Sequence, residues 1–109
     1  MNFTDTEKDA IVWCMFYLAD SDGKRNLEEV NILAEIAKNI GLKISVDNLW
    51  RITEIDQANI YATLRTFNPD KKEFLRNTLR KVAIVDGDIN DLEAKALYHI
   101  GYFGKIINI

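Results

Sequence analysis

Asp22-Gly23-Lys24-Arg25-Asn26-Leu27-Glu28-Glu29 and Asp86-Gly87-Asp88-Ile89-Asn90-Asp91-Leu92-Glu93 align without a gap, so Asp, Gly, Asn and Glu recur at identical spacing near the two ends of the chain. The register runs outward: Ala83 matches Ala19, Leu97 matches Leu33 and Ile100 matches Ile36. A duplicated polar corner between apolar-periodic segments predicts two copies of one helix-loop-helix unit. Any chemistry is then expected at the two acidic corners.

Working outward from the corners, six helices follow from apolar spacing and caps, and no segment shows the strict alternation of a half-buried strand. Helix one is expected over about Asp5 to Asp20, capped by Thr4, with Ile11, Val12, Met15, Phe16 and Ala19 on its core face. Trp13, Tyr17 and Leu18 carry apolar surface around the cylinder, which predicts a helix surrounded by others. Helix two is read from Asn26 to Gly41 through Val30, Leu33, Ala34, Ala37 and Ile40, with Gly41 in the left-handed position past its end. Ser45 caps a short third helix carrying Val46, Leu49, Trp50 and Ile52. The fourth, from about Asp56 to Phe67, places Ile60, Leu64 and Phe67 on one side. Asn68-Pro69-Asp70 supplies a cap, a proline at the first helical position and an acid at the positive dipole end, a start signal for helix five. That helix reaches Val85 through Phe74, Leu75, Leu79 and Val82. The sixth starts at Asn90 and uses Leu92, Ala96, Leu97, Ile100 and Phe103, with Gly104 as its stop. The expected class is all-α: one compact bundle of six to seven helices built from two pseudo-repeated units.

A chain of 109 residues with 48% hydrophobic content suffices for one core. Pro69 is the only proline and nothing reads as a linker, so residues 1–109 are expected to fold as a single domain. The longest apolar run, Ala10 to Ala19, is ten residues long, roughly half of a membrane span, and no membrane insertion is expected. Asp5, Glu7 and Asp9 precede it where an export signal carries positive charge, which makes a cytoplasmic location the default expectation. Cys14, the only cysteine, sits inside that run and reads as an inert core thiol.

The corners admit two readings. In the architectural one, Gly23 and Gly87 let the chain leave a helix, Asn26 and Asn90 cap the next, and Glu29 and Glu93 reach back to the cap amide three residues before them. In the other, the carboxylates converge on a divalent cation, calcium or magnesium rather than zinc. From Asp to Glu the pattern resembles the second half of an EF-hand loop. Aligning Glu29 with the closing ligand puts Leu18, Asp20 and Asp22 in the first three ligand places. The same alignment puts Val82 and Ile84 in the first two places of the second loop, which therefore cannot hold calcium alone. The candidate metal ligands are Asp20, Asp22, Glu29, Asp86, Asp88 and Glu93.

Ala19-Asp20-Ser21-Asp22-Gly23 with Glu29, and Ala83-Ile84-Val85-Asp86-Gly87 with Glu93, resemble the tellurite-resistance TerB-like family across nearly the whole chain. The resemblance implies a compact helical bundle, an acidic metal-binding surface built from those Asp and Glu residues, and a role in tellurite resistance or a related stress response. It implies no enzymatic reaction. Arg25 departs from the family pattern, which prefers an apolar residue there as Ile89 provides in the second copy, and a cation at that place opposes a bound metal.

Between Arg65 and Lys81 six basic residues face two acidic ones, and Lys72, Arg76 and Arg80 form a stripe four residues apart on helix five. Such a stripe is either a solvated face or a docking site for an acidic partner protein. The chain's net charge of −3 and the lack of an aromatic ladder argue against nucleic acid. A metal-free interaction module that docks a partner through this stripe or through the isoleucine-rich tail is the alternative to metal binding. His99 and Cys14 are single, so the usual zinc sets cannot be assembled. Ser21 and Ser45 fit turn and cap roles, which leaves no catalytic residue set. His99 is expected half-exposed, and Trp13, Trp50 and the tyrosines are expected as core and rim rather than as a cofactor box.

Overall fold

In the computed structural model the described residues form six helices: α1 (Asp5–Ala19), α2 (Leu27–Asn39), α3 (Val46–Thr53), α4 (Gln57–Arg65), α5 (Pro69–Ile84) and α6 (Asp91–Gly104). The structure describes residues 2–21, 27–43, 45–84, 89 and 91–106, of which 27–30 by their backbone alone. The class is all-α, as the periodicity predicts.

Local chemistry sets the helix starts. Thr4 caps α1 in a complete capping box, its hydroxyl accepting from the Glu7 amide while Glu7 accepts from the Thr4 amide. Ser45 accepts from the Asn48 amide at the start of α3, and Asp56 accepts from the Ala58 amide at the start of α4. Asn68 accepts from the Lys71 amide at 2.8 Å, with Pro69 at the first helical position of α5. Gly41 carries φ +83° just past α2, the left-handed stop that its type permits.

α1 is the axis of the fold. It packs against each of the other five helices, and Ala10, Ile11, Val12, Cys14, Met15, Leu18 and Ala19 are buried along it. Each fully buried aliphatic side chain of this kind stabilises the fold by about 1.5–3 kcal/mol. The 64-residue register of the duplication also governs the packing. Ile11 and Leu75, Met15 and Leu79, Leu18 and Val82, Ala19 and Ala83, and Leu33 and Leu97 are matched pairs, and both members of each are buried.

Two matched pairs touch directly. Phe3 and Phe67 lie 6.4 Å apart between ring centroids, and the Lys71 ammonium donates to both oxygens of Glu7 at 2.8 and 2.9 Å. Phe3 and Phe67, and Glu7 and Lys71, are counterparts in the 64-residue register, so the starts of α1 and α5 meet at equivalent positions. Thr4 and Asn68, the two caps, are counterparts as well.

Two expectations are corrected: the burial of Ala34 and the core placement of Leu92 and Phe103. Ala34 is exposed, although helix two was expected to bury it. Val46 and Trp50 are 70% and 65% exposed, and only Ile52 of α3 is buried, because so short a helix lies against α1 along a single line. Leu92 and Phe103, expected on the core face of α6, are partly exposed at 48% and 38%. Gly104 is the last residue of α6, as expected, and Lys105 after it takes the left-handed conformation at φ +58°. Gly104 is there for proximity: a Cβ on it would stand 2.8 Å from Leu64 Cδ1, so its absence lets α6 lie directly on α4. Ile106 turns back and is buried, as expected for the tail; residues 107–109 lie outside the described residues. Among the described residues no helix is long and apolar enough to cross a membrane.

Candidate functional site

The end of α1 and the beginning of α6 meet at one end of the bundle. Asp20, the C-cap of α1, and Ser21 line the same cleft as Leu92 and Lys95 from the opening turns of α6. At the other end of α1, Phe3 and Lys8 share a hollow with Ile40 and Gly41, just beyond the end of α2, and with Phe74 near the start of α5. The end of α1 and the start of α6 therefore lie at one end of the molecule, and the start of α1, the end of α2 and the start of α5 at the other.

Of the six residues expected to bind metal, Asp20 and Glu93 are described. Asp22, Glu29, Asp86 and Asp88 lie outside the described residues. Asp20 is exposed. Glu93 is 4% exposed, in the first turn of α6 beside Asp91, where a carboxylate favours the positive end of the helix dipole. Both carboxylates are hard oxygen donors, the type that calcium and magnesium select. Among the described residues no group of three or more His, Cys, Asp and Glu gathers around one point.

The cleft holds about 600 Å3 and lies between α1, α3 and α6. Trp13, Phe16 and Tyr17 of α1 form its floor, Ile52 and Thr53 one wall, and Leu92, Ala96 and His99 the other. Trp13 and Tyr17 stack at 5.2 Å between centroids, and Trp13 meets Tyr61 of α4 edge-on. The Tyr17 hydroxyl and His99 Nδ1 are hydrogen-bonded at 3.3 Å, which ties α1 to α6 across the cleft. His99 is exposed, as expected of a surface histidine. Sequence reasoning missed this cleft, although the apolar girth of helix one was its signal: Trp13 and Tyr17 lie off the main core stripe.

The basic stripe lies on α5 as expected. Lys72 and Arg76 are half-buried and Arg80 is exposed, and Arg76 and Arg80 both engage neighbouring groups of the chain. In the duplicated register Arg76 and Arg80 stand where Val12 and Phe16 stand on α1. Val12 and Phe16 are buried or half-buried among the helices gathered around α1, whereas α5 packs mainly on α1 and α2. The stripe therefore occupies a part of the repeat that α5 leaves more open than α1 does.

Two ion pairs escaped the sequence reading because they join residues far apart in the chain. Arg51 of α3 donates to both carboxylate oxygens of Asp9 on α1, at 2.5 and 3.0 Å. Glu7 is 9% exposed and holds both its cap and Lys71. Burial pushes the Glu7 carboxyl up, but the hydrogen bonds from Lys71 and the Thr4 amide, with the Lys71 charge, outweigh it and hold the group below its ordinary value. Lys71 also lies 5.7 Å from the centre of the Phe3 ring. Cys14 is fully buried and burial pushes its thiol well above the ordinary range, consistent with a core thiol that is not a nucleophile.

Comparison with protein-family models, with curated proteins and with solved structures gave no match.

Proposed function

We propose that this chain is a non-enzymatic, TerB-like binding domain that holds a divalent cation, calcium or magnesium, at the end of the bundle where α1 closes and α6 opens. The observation that carries the reading is the shared cleft: Asp20 and Ser21 at the close of α1 line it together with Leu92 and Lys95 at the opening of α6. Corners that leave neighbouring helix ends can pool oxygens, and pooling is what the second corner needs, because its alignment lacks the first acidic ligands. Asp20, Asp22 and Glu29 from one corner and Asp86, Asp88 and Glu93 from the other are the donors in this proposal. The cation would supply charge neutralisation and order at the two turns. A cytoplasmic role in tellurite resistance or a related stress response completes the reading, on the strength of the family resemblance.

Calorimetric titration of metal-stripped protein with calcium, magnesium and zinc tests it. Saturable heat with calcium or magnesium is expected, lost in Glu93→Gln and Glu29→Gln, because an amide can complete a helix cap but cannot supply the charge that a hard cation requires. Absence of heat together with an unchanged Tm in millimolar salt would remove the cation, since a ligand that prefers the folded state must stabilise it. Docking of an acidic partner through the stripe has less support, because Lys72 and Arg76 are half-buried and Arg76 and Arg80 are already engaged. The buried Ile106 likewise weakens the case for a docking tail.

A further inference from the structure

Five rings from α1, α4 and α6 close into a circuit. Trp13 stacks on Tyr17 with centroids 5.2 Å apart and planes 10° from parallel, and it meets Tyr61 edge-on at 6.0 Å. Tyr61 stacks on Phe103 at 5.5 Å, Phe103 meets His99 edge-on at 5.2 Å, and His99 Nδ1 closes the circuit at the Tyr17 hydroxyl, 3.3 Å away. The indole, the phenol and the imidazole are thus each held by a neighbouring ring in a defined orientation. Indole and phenol are also the aromatic side chains from which a one-electron oxidant takes an electron most readily. A phenol yields its electron to an oxidised indole when its proton leaves in the same event, so a phenol stacked on an indole needs a base at its oxygen.

Tyr17 has that base. In the tautomer protonated at Nε2, His99 Nδ1 accepts from the Tyr17 hydroxyl, and imidazole is the side chain suited to take the proton. Tyr61, the other phenol beside Trp13, instead receives a hydrogen bond from Gln57 Nε2 at 3.0 Å, and an amide group takes up no proton. Cys14 and Met15, which follow Trp13 in the chain, are fully buried, and oxidation of core sulfurs disrupts packing. We propose that Trp13, Tyr17 and His99 form a one-electron relay that carries oxidising equivalents from Trp13 to Tyr17 and away from the core sulfurs. A diffusible one-electron oxidant takes an electron from Trp13, which is partly exposed on the cleft. One electron then crosses the stack from the Tyr17 ring to the Trp13 ring while the phenol proton moves to His99 Nδ1. Trp13 is restored, regaining from water any proton its N–H gave up, and Tyr17 is left as a phenoxyl radical beside a His99 imidazolium. A diffusible thiol or ascorbate-type reductant returns one hydrogen atom to the phenoxyl, and the imidazolium gives its proton to water. The relay does not depend on a bound cation.

Pulse radiolysis with azide radical tests it, on the full chain carrying Trp50→Phe, which leaves Trp13 as the only tryptophan. The indolyl absorbance is expected to decay as phenoxyl absorbance grows, at a rate that is independent of protein concentration and slower in heavy water. Tyr17→Phe keeps the stacked ring and should abolish that coupled rise. His99→Gln keeps a hydrogen-bonding group but no base, and should slow the transfer about tenfold, the modest end of proton-transfer effects because water reaches the exposed pair. Tyr61→Phe should leave the rate unchanged. Circular dichroism melts establish that the variants fold, and His99→Gln, an exposed change, carries the test alone if Tyr17→Phe does not fold. An unchanged coupled rise in Tyr17→Phe, an unchanged rate in His99→Gln, or loss of the rise in Tyr61→Phe would overturn the proposal. A conversion whose rate scales with protein concentration would also overturn it, because the electron would then pass between molecules.

Discussion

Removing Lys71 while keeping Glu7 should be among the most damaging single changes in the protein, because it strands a carboxylate at the junction of the two repeats. Glu7 is 9% exposed and receives two hydrogen bonds from the Lys71 ammonium and one from the Thr4 amide. Breaking a buried pair from one side costs about 3–5 kcal/mol. With the two side chains 18% and 11% exposed, Lys71→Met is placed at the low end, about 3 kcal/mol, or a fall in Tm of roughly 10 °C or more. Glu7→Gln leaves one cap acceptor and should cost about 2 kcal/mol. The double variant strands no charge, so its loss should fall short of the sum by about 1–2 kcal/mol. Urea denaturation of the four proteins measures this cycle. A coupling below about 0.5 kcal/mol would mean that the contact between counterpart residues does not hold the repeats together.

The same pair predicts the acid limb of stability: the Glu7 carboxyl is held below its unfolded value, so its contribution is complete above about pH 4.3 and disappears as pH falls through the lowered folded value, and Glu7→Gln should flatten that limb in urea melts at stepped pH. Gly104→Ala should destabilise by about 1–3 kcal/mol in spite of the better helix former, because the new methyl meets Leu64; a neutral or stabilising result would show that α4 and α6 can separate freely. Arg51→Met should cost about 1–2 kcal/mol by leaving Asp9 without its two donors, and less at high salt, read from melting curves. Cys14 should react with a thiol reagent only through opening of the core, so its labelling rate should rise with urea in step with unfolding.

How far the sequence could be read depended on how local each interaction is. Thr4, Ser45, Asp56 and Asn68 bond amides two or three residues away, so the spacing of a few letters located four helix starts. The burial of Leu33, Leu75 and Leu97 followed from periodicity, and the repeat register foretold which residues would occupy equivalent places. Contacts across the chain were not legible. Glu7 to Lys71 and Asp9 to Arg51 join helices whose facing surfaces no short window contains, and the need for Gly104 arises only where α6 meets Leu64 of α4. Trp50 and Val46 carry the right letters for a core but sit on a helix with one covered side. Of the six residues that the sequence singles out as candidate metal ligands, Asp20 and Glu93 are described, and the structure adds that the end of α1 and the start of α6 meet at one cleft.

Paramagnetic relaxation by a trace of manganese, added to isotope-labelled, metal-stripped protein, addresses the central claim most directly. The account predicts that the amides of Ser21 and Leu92 broaden together while those of Phe3 and Gly41, at the opposite end of the bundle, stay sharp, and that excess magnesium restores the lost signals. Broadening of Ser21 without Leu92, or spread evenly over both ends, would contradict a cation shared by the two corners.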